Sequence, residues 1–362
     1  MKIAPRLVAW QRKHGRHGLP WQNTRDPYRV WLSEIMLQQT QVAAVLDYYQ
    51  RFLSQFPTVK ALAQAPVDQV MAQWAGLGYY ARARNLHACA KQVMSTWKGK
   101  FPPDAAGLAT LPGIGPSTAA AIAAFCYGER AAILDGNVKR VLARLFAIEG
   151  DPTSRPIELQ LWSEARDLVP TARACAQDPD LMSAYTQGLM DLGATVCSRG
   201  RPNCEVCPLK KDCLAFLQGR RDELPWPRAR KVLPERSTAM LIAYRPGQLL
   251  LMQRPTTGIW GGLWSLPECA PELAPAMACE QLGLTVKKTE TLAEFLHVFT
   301  HYRLTVRPHL VHIEPDSATT LPKTQRLVSG HDWVPIKKLH ERGLPAPVRK
   351  LLDGLIAARL LA

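Results

Sequence analysis

Apolar residues in the first 218 positions of the chain recur three or four places apart. This spacing places them on one face of a helix, so it predicts amphipathic helices that pack on a common core. Two such sets are Val30, Trp31, Ile35 and Leu37, and Val138, Val141, Leu142 and Leu145. Proline interrupts the pattern at positions 57, 66, 102, 103, 112 and 170. Because proline ends or bends a helix, residues 1–218 are predicted to form an all-helical domain of short helices.

The pattern changes in the last third of the chain. Apolar runs at 239–244, 248–252 and 304–306, with a Pro246–Gly247 turn between the first two, are typical of strands. The segment 219–235 is charged and rich in proline, as linkers are. A chain of 362 residues also exceeds what one core usually holds. The sequence therefore predicts a linker at 219–235 and a smaller α+β domain over 236–362.

The net positive charge of the chain suggests what kind of molecule it binds. Lys and Arg outnumber Asp and Glu by 45 to 30, an excess that favours a polyanion such as nucleic acid, although a merely basic protein would show it too. The basic N-terminus lacks the apolar segment of a secretory signal, and no apolar run approaches the length of a membrane span. The nine cysteines are an odd number, which indicates a reducing compartment. A cytoplasmic protein is expected.

Four of the cysteines lie close together, at positions 197, 204, 207 and 213. A Cys-x-x-Cys pair with two flanking cysteines has the spacing of ligands for soft metals and clusters. Because the gaps of six and five residues differ from the paired knuckles of most structural zinc sites, we favour a [4Fe–4S] cluster held by Cys197, Cys204, Cys207 and Cys213. A zinc ribbon and two disulfides stay open as alternatives. Lys and Arg residues in the same loop suit a phosphate backbone.

A glycine-rich turn lies upstream, where Gly113 and Gly115 separate two helical segments. Glycine permits a tight turn, and the free N–H groups at the start of the next helix attract an anion. This arrangement suits a hairpin that holds one DNA phosphate without reading a base. An ordinary corner between two helices is the alternative.

Two carboxylates are candidates for catalysis. Glu34 follows Trp31 and precedes Ile35 on an apolar helix, where desolvation would raise its pKa toward that of a general acid. Asp135 precedes a predicted helix, where aspartate commonly caps free N–H groups. Taken alone, a surface glutamate and a helix cap are the simpler interpretations.

Five stretches together carry a family resemblance. They are 33–41, 76–86, 111–117, 134–144 and the cysteine loop 197–213. In this order the chain resembles the helix-hairpin-helix base-excision glycosylases, above all the adenine DNA glycosylases of the MutY family. The resemblance implies excision of adenine mispaired with 8-oxoguanine or guanine in double-stranded DNA, by base flipping and hydrolysis of the N-glycosidic bond.

The resemblance also implies roles for single residues. Glu34 would be the general acid, Asp135 would stabilise the sugar cation, and Asn137 would support them. Ser117 stands where bifunctional relatives carry a lysine nucleophile; because a hydroxyl cannot form an imine, strong β-lyase activity is not expected. Leu19, Trp21 and Gln187 match positions that line the adenine pocket, and His17 stands where a related enzyme has arginine. Gln39 and Tyr79 would wedge into the base stack.

The second domain resembles a Nudix hydrolase without its metal site. With Gly262 placed first, Glu268 and Glu280 fall in frame, but Ala276, Met277 and Gln281 replace signature residues. Since hard cations need several carboxylate oxygens, this domain is expected to bind rather than hydrolyse. The loop Phe299–Thr300–His301 matches the family's reader of the oxidised guanine.

Three rival functions stay open at this point. They are a pyrimidine-specific glycosylase/lyase of the same fold, a non-catalytic iron–sulfur DNA-binding protein, and a working Nudix nucleotide hydrolase. The expected partner is DNA, bound by a monomer that does not associate with membranes and acts near the nucleoid of a bacterium.

Overall fold

The computed structural model describes residues 3–227, 232–314 and 330–361. Parts of the predicted linker and second domain, at 228–231, 315–329 and 362, lie outside the described residues. By proximity of the backbone the chain divides into two units. The first contains Met1–Gln64 and Asn85–Arg230, and the second contains Ala65–Arg84 and Lys231–Ala362. The predicted boundaries at 218 and 236 stay predictions.

Thirteen helices precede the first strand in the described part of the chain, and most lie in the first unit. They are α1 (Ala4–His14), α2 (Pro27–Leu37), α3 (Val42–Gln55), α4 (Val59–Gln64), α5 (Val67–Trp74), α6 (Ala81–Thr96), α7 (Ala105–Leu108), α8 (Pro116–Tyr127), α9 (Gly136–Leu145), α10 (Arg155–Asp167), α11 (Ala172–Gln177), α12 (Leu181–Asp191) and α13 (Leu214–Leu217). A π-helical turn, Leu192–Val196, follows α12 directly, and short 3₁₀ turns occupy Cys204–Val206 and Lys210–Asp212.

Local signals explain where these helices begin. Asp26 accepts a hydrogen bond from the Tyr28 N–H at 3.0 Å and so caps α2, and Pro27 occupies the first turn, where its missing N–H costs nothing. The predicted apolar face of α9 is buried in full and joins α1, α8, α10 and α12 in one core. Burial of these faces is what holds the helices in place.

The second unit is built on a single sheet. Its strands are β1 (Glu235–Arg245), β2 (Gln248–Gln253), β3 (Trp264–Ser265), β4 (Glu268–Cys269), β5 (Val286–Thr291), β6 (Phe295–Val298), β7 (Arg303–Ile313) and β8 (His331–Pro335). Its helices after β4 are α14 (Pro275–Gln281) and α15 (Ala346–Ala357), with a 3₁₀ turn at Ile336–Glu341. The main path of the sheet runs β3-β2-β1-β7-β5, with β4 on β1, β6 on β7 and β8 on β2.

The centre of this sheet is a parallel pair. β1 and β7 run side by side from Glu235 and Arg303 to Tyr244 and His312. Such a central strand is covered on both faces, and accordingly β1 is buried without interruption from Ala239 to Ala243. The predicted strands are therefore confirmed, as is the order of a helical domain followed by an α+β domain. None of the described helices is long and apolar enough to cross a bilayer.

Candidate active site and DNA-reading surfaces

A cavity of about 570 Å³ opens in the first unit. Three of the sequence-predicted residues, Trp21, Glu34 and Gln187, line it together, and His17 lies at its wall. Leu19 is not among its lining residues; its backbone N–H donates to the side chain of Gln22 at 3.1 Å. The cavity is large enough for one purine base and brings a carboxyl group, an amide and an indole to the same space.

Glu34 reaches this cavity from the middle of α2, among buried residues of the same helix. Burial raises the pKa of Glu34 from 4.5 to about 8, and the negative charge of Asp135 adds to the rise. The carboxyl group is therefore protonated at neutral pH. A protonated carboxyl at the wall of a base-sized cavity can donate a proton to a bound ring nitrogen.

Asp135 lies at the N-terminus of α9 and is close enough to Glu34 for its charge to be felt there. Its carboxylate accepts a hydrogen bond from the Val138 N–H at 2.7 Å, so the predicted helix cap is present. Burial raises the pKa of Asp135, while hydrogen bonds from Val138 and Asn137 and the charge of Arg140 oppose the rise. These donors favour the ionised form. The two carboxyl groups thus differ in surroundings: Glu34 is buried on an apolar helix at the cavity wall, and Asp135 accepts hydrogen bonds from N–H donors.

Ser117 and Asn137 position the segment around Asp135. The Ser117 hydroxyl accepts a hydrogen bond from the Leu134 N–H at 2.9 Å and so ties the start of α8 to the residue before Asp135. The side-chain oxygen Oδ1 of Asn137 accepts a hydrogen bond from the Arg140 guanidinium at 2.8 Å. Behind Asn137, a Cβ at Gly193 would lie 2.6 Å from that of Asn137, so only glycine fits there. Neither Ser117 nor Asn137 offers a nucleophilic amine.

The sequence did not indicate Arg16, which lines the cavity, or Asp191, which holds Gln187 from behind. Asp191 is fully buried, and its carboxylate accepts from the Arg16 guanidinium at 2.6 Å, from the Arg16 N–H at 2.9 Å and from the Gln187 amide at 2.8 Å. Because the amide nitrogen of Gln187 is held by Asp191, its carbonyl oxygen is left to accept from a bound base. Gln187 and Asp191 stand four residues apart on α12, a spacing that could have suggested the pair.

The four cysteines of the loop also come together. Cys197, Cys204, Cys207 and Cys213 all line one small cavity, and none of the nine cysteines forms a disulfide. Burial raises the pKa of Cys207 to about 11, and the other three thiols add to the rise. Among the described residues, no three His, Cys, Asp or Glu side chains are arranged to hold a single ion.

Two arginines of α9 connect this loop to the segment around Asn137. Arg144 is buried, and its guanidinium donates to the Cys197 sulfur at 3.3 Å and to the Ser198 carbonyl at 2.7 Å. Arg140 donates to the Cys197 carbonyl at 2.8 Å and to the Gly193 carbonyl at 2.6 Å, besides Asn137. A buried cation beside thiolates offsets negative charge in a site of low dielectric.

Three of the residues predicted to contact DNA, Gly113, Gln39 and Tyr79, have a left-handed backbone. Gly113 has φ +78° in the hairpin, where a Cβ would lie 2.8 Å from that of Asn85, and Gly115 caps α8. Gln39 and Tyr79 have φ +57° and +49°, in the left-handed region that costs a side-chain-bearing residue about 1–3 kcal/mol. Both side chains are exposed, Tyr79 to 46%. Strain at an exposed residue is typical of a functional position.

The predicted reader loop lies in the second unit, in the turn between β6 and β7. Phe299 stacks on Tyr302 with ring centroids 4.7 Å apart and contacts His297 at 4.4 Å and Trp260 at 5.3 Å. Thr300 and His301 are exposed at the tip, with the Thr300 hydroxyl 3.4 Å from His301 Nδ1. An aromatic base thus supports two exposed polar groups, which suits contact with a base edge.

Glu268, which stands at a Nudix signature position, forms an ion pair with an arginine of the same unit. Glu268 on β4 pairs with the Arg254 guanidinium, which also donates to the Ile259 carbonyl at 3.0 Å and lies over the Trp260 ring. Met277 on α14 is exposed to 54%. A fixed cation therefore occupies the neighbourhood of Glu268, the carboxylate that a metal would use in a hydrolase.

Comparison with known proteins agrees with this geometry. The model of the HhH-GPD superfamily of base excision DNA repair proteins matches residues 32–167, and the NUDIX domain model matches residues 238–354. An adenine DNA glycosylase of Buchnera aphidicola (subsp. Acyrthosiphon pisum) is 33% identical over 348 residues, 96% of each chain. The human adenine DNA glycosylase is 32% identical, covering 95% of this chain and 72% of that protein. A solved thermostable thymine-DNA glycosylase has a TM-score of 0.52 at 27% identity, over 60% of this chain and 95% of that one.

Proposed function

The chain belongs to the adenine DNA glycosylases of the MutY family, and from this premise we propose that it excises adenine paired with 8-oxoguanine or guanine. It is a DNA glycosylase of base excision repair with a helical core and a Nudix-like second domain. The observation that carries the proposed site is the raised pKa of Glu34, in a base-sized cavity that Trp21 and Gln187 also line.

The proposed chemistry uses the difference between the two carboxyl groups. Cleavage of the N-glycosidic bond leaves electron density on the departing adenine and positive charge on the deoxyribose. Glu34, protonated at neutral pH, gives its proton to the adenine ring. Asp135, surrounded by N–H donors, offsets the sugar cation by its charge or by transient capture. Glu34, then ionised, accepts a proton from the water that attacks the sugar carbon.

Recognition of adenine falls to the remaining cavity residues. With its amide nitrogen bound to Asp191, Gln187 presents a carbonyl oxygen that suits the exocyclic amine of adenine. Trp21, buried against Tyr49 at 5.2 Å, offers a flat apolar wall for the ring. Gln39 and Tyr79 fill the stack once the base has flipped, and the hairpin at Gly113 and Gly115 holds a phosphate.

The preference for 8-oxoguanine is proposed to reside in Thr300 and His301. We expect the Thr300→Ala/His301→Ala protein to lose most of its preference for 8-oxoguanine·A over G·A, by about tenfold or more, because a site that hydrogen-bonds a polar group rejects the analogue that lacks it. Single-turnover adenine release from both duplexes measures the ratio. The matched control is Thr291→Ala, an exposed threonine of β5. An unchanged ratio would end the assignment of the reader loop.

Strand cleavage is expected to be weak. Ser117 accepts a hydrogen bond from the backbone and has no amine, so no imine with the abasic sugar forms there. Borohydride reduction during turnover should therefore trap little protein on DNA, while Ser117→Lys should trap more if the lysine reaches the sugar. Efficient trapping of the unmodified protein would contradict this proposal.

The cysteine loop is proposed to hold a [4Fe–4S] cluster through Cys197, Cys204, Cys207 and Cys213. Their shared cavity, free thiols and the buried Arg144 support it. When bound, the cluster supplies four covalent bonds that fix the loop and its basic residues. Iron and sulfide analysis of the protein with its visible absorption checks the proposal, and zinc without iron would overturn it.

We also propose that the protein acts as a monomer on double-stranded DNA in the cytoplasm of a bacterium, at the nucleoid. The net charge of +15 suits a polyanionic partner. Sedimentation of the protein with and without a mispaired duplex tests its stoichiometry, and a stable dimer would contradict it.

A further inference from the structure

Residues 65–84 belong to the second unit, although they lie within the helical stretch of the sequence. This segment contains α5 and the loop that carries Tyr79. Both of its ends make polar contacts with residues of the second unit that are far away in the chain. These contacts are the basis of the inference.

Asp68, in the first turn of α5, is one anchor. Its Oδ1 accepts from the Gln253 amide at 3.1 Å, and its Oδ2 accepts from the Trp264 indole N–H at 3.3 Å. Arg342 lies 4.0 Å from the same Oδ2, and its guanidinium covers the Trp264 ring at 4.7 Å. One carboxylate therefore accepts hydrogen bonds from a strand end and from an indole. It also lies near a cation that itself pairs with Asp332.

The backbone approaches closely at the same place. A Cβ at Gly343 would lie 3.0 Å from the Met71 carbonyl carbon and 3.1 Å from the Ala72 nitrogen. The Gly343 carbonyl in turn accepts a hydrogen bond from the backbone N–H of Trp264 at 2.9 Å. A Cβ there would press on the backbone of α5, so α5 is packed directly against the turn that follows the 3₁₀ segment Ile336–Glu341.

Arg84 is the second anchor, at the other end of the segment. It donates to the Gly261 carbonyl at 2.5 Å, and its side chain lies against Gly262. These glycines follow Trp260, which has φ +52° and contacts Phe299 of the reader loop. Arg84 thus binds the loop that supports the reader, while Tyr79 lies between the two anchors.

We propose that Asp68 and Arg84 are positioning residues that hold the Tyr79 wedge at a fixed place relative to the 8-oxoguanine reader. The inference rests on the proposed function, because it takes Tyr79 as the wedge and Thr300 and His301 as the reader. A lesion bound by the reader then favours insertion of Tyr79 in the same step. Discrimination of 8-oxoguanine depends on Asp68, although Asp68 touches neither base.

The test is Asp68→Asn, which keeps the shape of the side chain and removes its charge. Single-turnover adenine release is measured on 8-oxoguanine·A and G·A duplexes. We expect the preference for 8-oxoguanine·A to fall about tenfold, within the usual range of coupling between sites, while G·A excision stays within about twofold. Asp47→Asn, the same change at an exposed residue of α3, is the control and should leave both rates unchanged.

A double-mutant cycle separates coupling from a general loss of structure. In the Thr300→Ala/His301→Ala background, Asp68→Asn should have almost no further effect on the ratio, because the lesion is no longer read. An additional, additive loss would overturn the inference, as would an equal loss on both duplexes. Trp264→Phe, which removes one donor to Asp68 and keeps an aromatic side chain, gives a second variant should Asp68→Asn fail to fold. It should lower the ratio in the same direction.

The two possible failures are distinguishable. If the unmodified protein shows no preference for 8-oxoguanine·A, the proposed reader is wrong and this inference falls with it. If the unmodified protein shows the preference and folded Asp68→Asn keeps it within about twofold, only the anchoring role is wrong.

Discussion

Replacement of Glu34 by glutamine is expected to reduce adenine excision by about a hundredfold to ten-thousandfold, the usual contribution of a general acid. Glutamine has nearly the same shape and polarity, so Trp21 and Gln187 should still bind the base. What is lost is the proton that Glu34 carries at neutral pH because burial raises its pKa to about 8. Single-turnover release on an 8-oxoguanine·A duplex measures the loss, and DNA affinity should stay near normal. Near-normal release would contradict the assignment.

The same pKa predicts a pH dependence. A general acid is active when protonated, so the excision rate should fall as the pH rises through about 8. The free energy of unfolding should also fall as the pH rises. The pKa of Glu34 is higher in the folded chain than its ordinary value of 4.5, so the folded state is progressively destabilised between about pH 4.5 and pH 8. At pH 9 the Glu34→Gln protein should melt at a higher temperature than the unmodified protein.

Glu164→Gln, a partly exposed glutamate of α10, is the matched control. Its excision rate and its pH profile should follow those of the unmodified protein. A rate that is flat from pH 7 to about 9.5 in the unmodified protein would show that Glu34 does not act as an acid of this pKa.

Replacement of Asp135 by asparagine should lower excision by about a hundredfold to a thousandfold, as expected when a preorganised charge next to a developing ion is removed. Asparagine caps a helix as well as aspartate does, so α9 should keep its start at the Val138 N–H. The loss would therefore report charge and not unfolding. Chemical denaturation should give a free energy of unfolding within about 1 kcal/mol of the unmodified protein.

The control for Asp135 is another capping aspartate. Asp104 caps α7 by accepting from the Gly107 N–H at 2.7 Å and is exposed. Asp104→Asn makes the same chemical change at the same kind of helix position, away from the cavity. If both variants lose activity equally, the loss at Asp135 reflects a general effect of this change at a helix start, and not the removal of a charge beside the cavity.

Much of the fold was predictable because its signals are local. The buried face of α9 follows from four apolar residues at helical spacing, and β1 follows from a run of buried apolar residues before a Pro–Gly turn. The cysteine loop was visible for the same reason, since its ligand spacing lies within one short segment. The two carboxylates that we propose act in catalysis were less visible: Asp135 is a helix cap by every local rule, and only the resemblance gave it a chemical role.

The features that the sequence did not indicate depend on distant partners. Local spacing could suggest that Asp191 holds Gln187. It could not suggest Arg16, the other partner of Asp191, because these two residues are 175 positions apart. Asp68 has the appearance of an ordinary acidic residue in the first turn of a helix, while its partners lie between 185 and 274 residues away. The left-handed backbone at Gln39 and Tyr79 is set by surrounding structure, because neither residue type favours it.

The backbone at these two residues has an evolutionary consequence. Glycine at position 39 or 79 would relieve the unfavourable φ angles of +57° and +49°, so lineages adapting to heat have an easy gain in melting temperature at both codons. Taking that gain would remove the two side chains that we propose wedge into the duplex. If Gln and Tyr persist there, avoidance of mutations outweighs heat tolerance. Laboratory selection of this enzyme for thermostability alone should therefore raise the mutation rate of the cells that carry it.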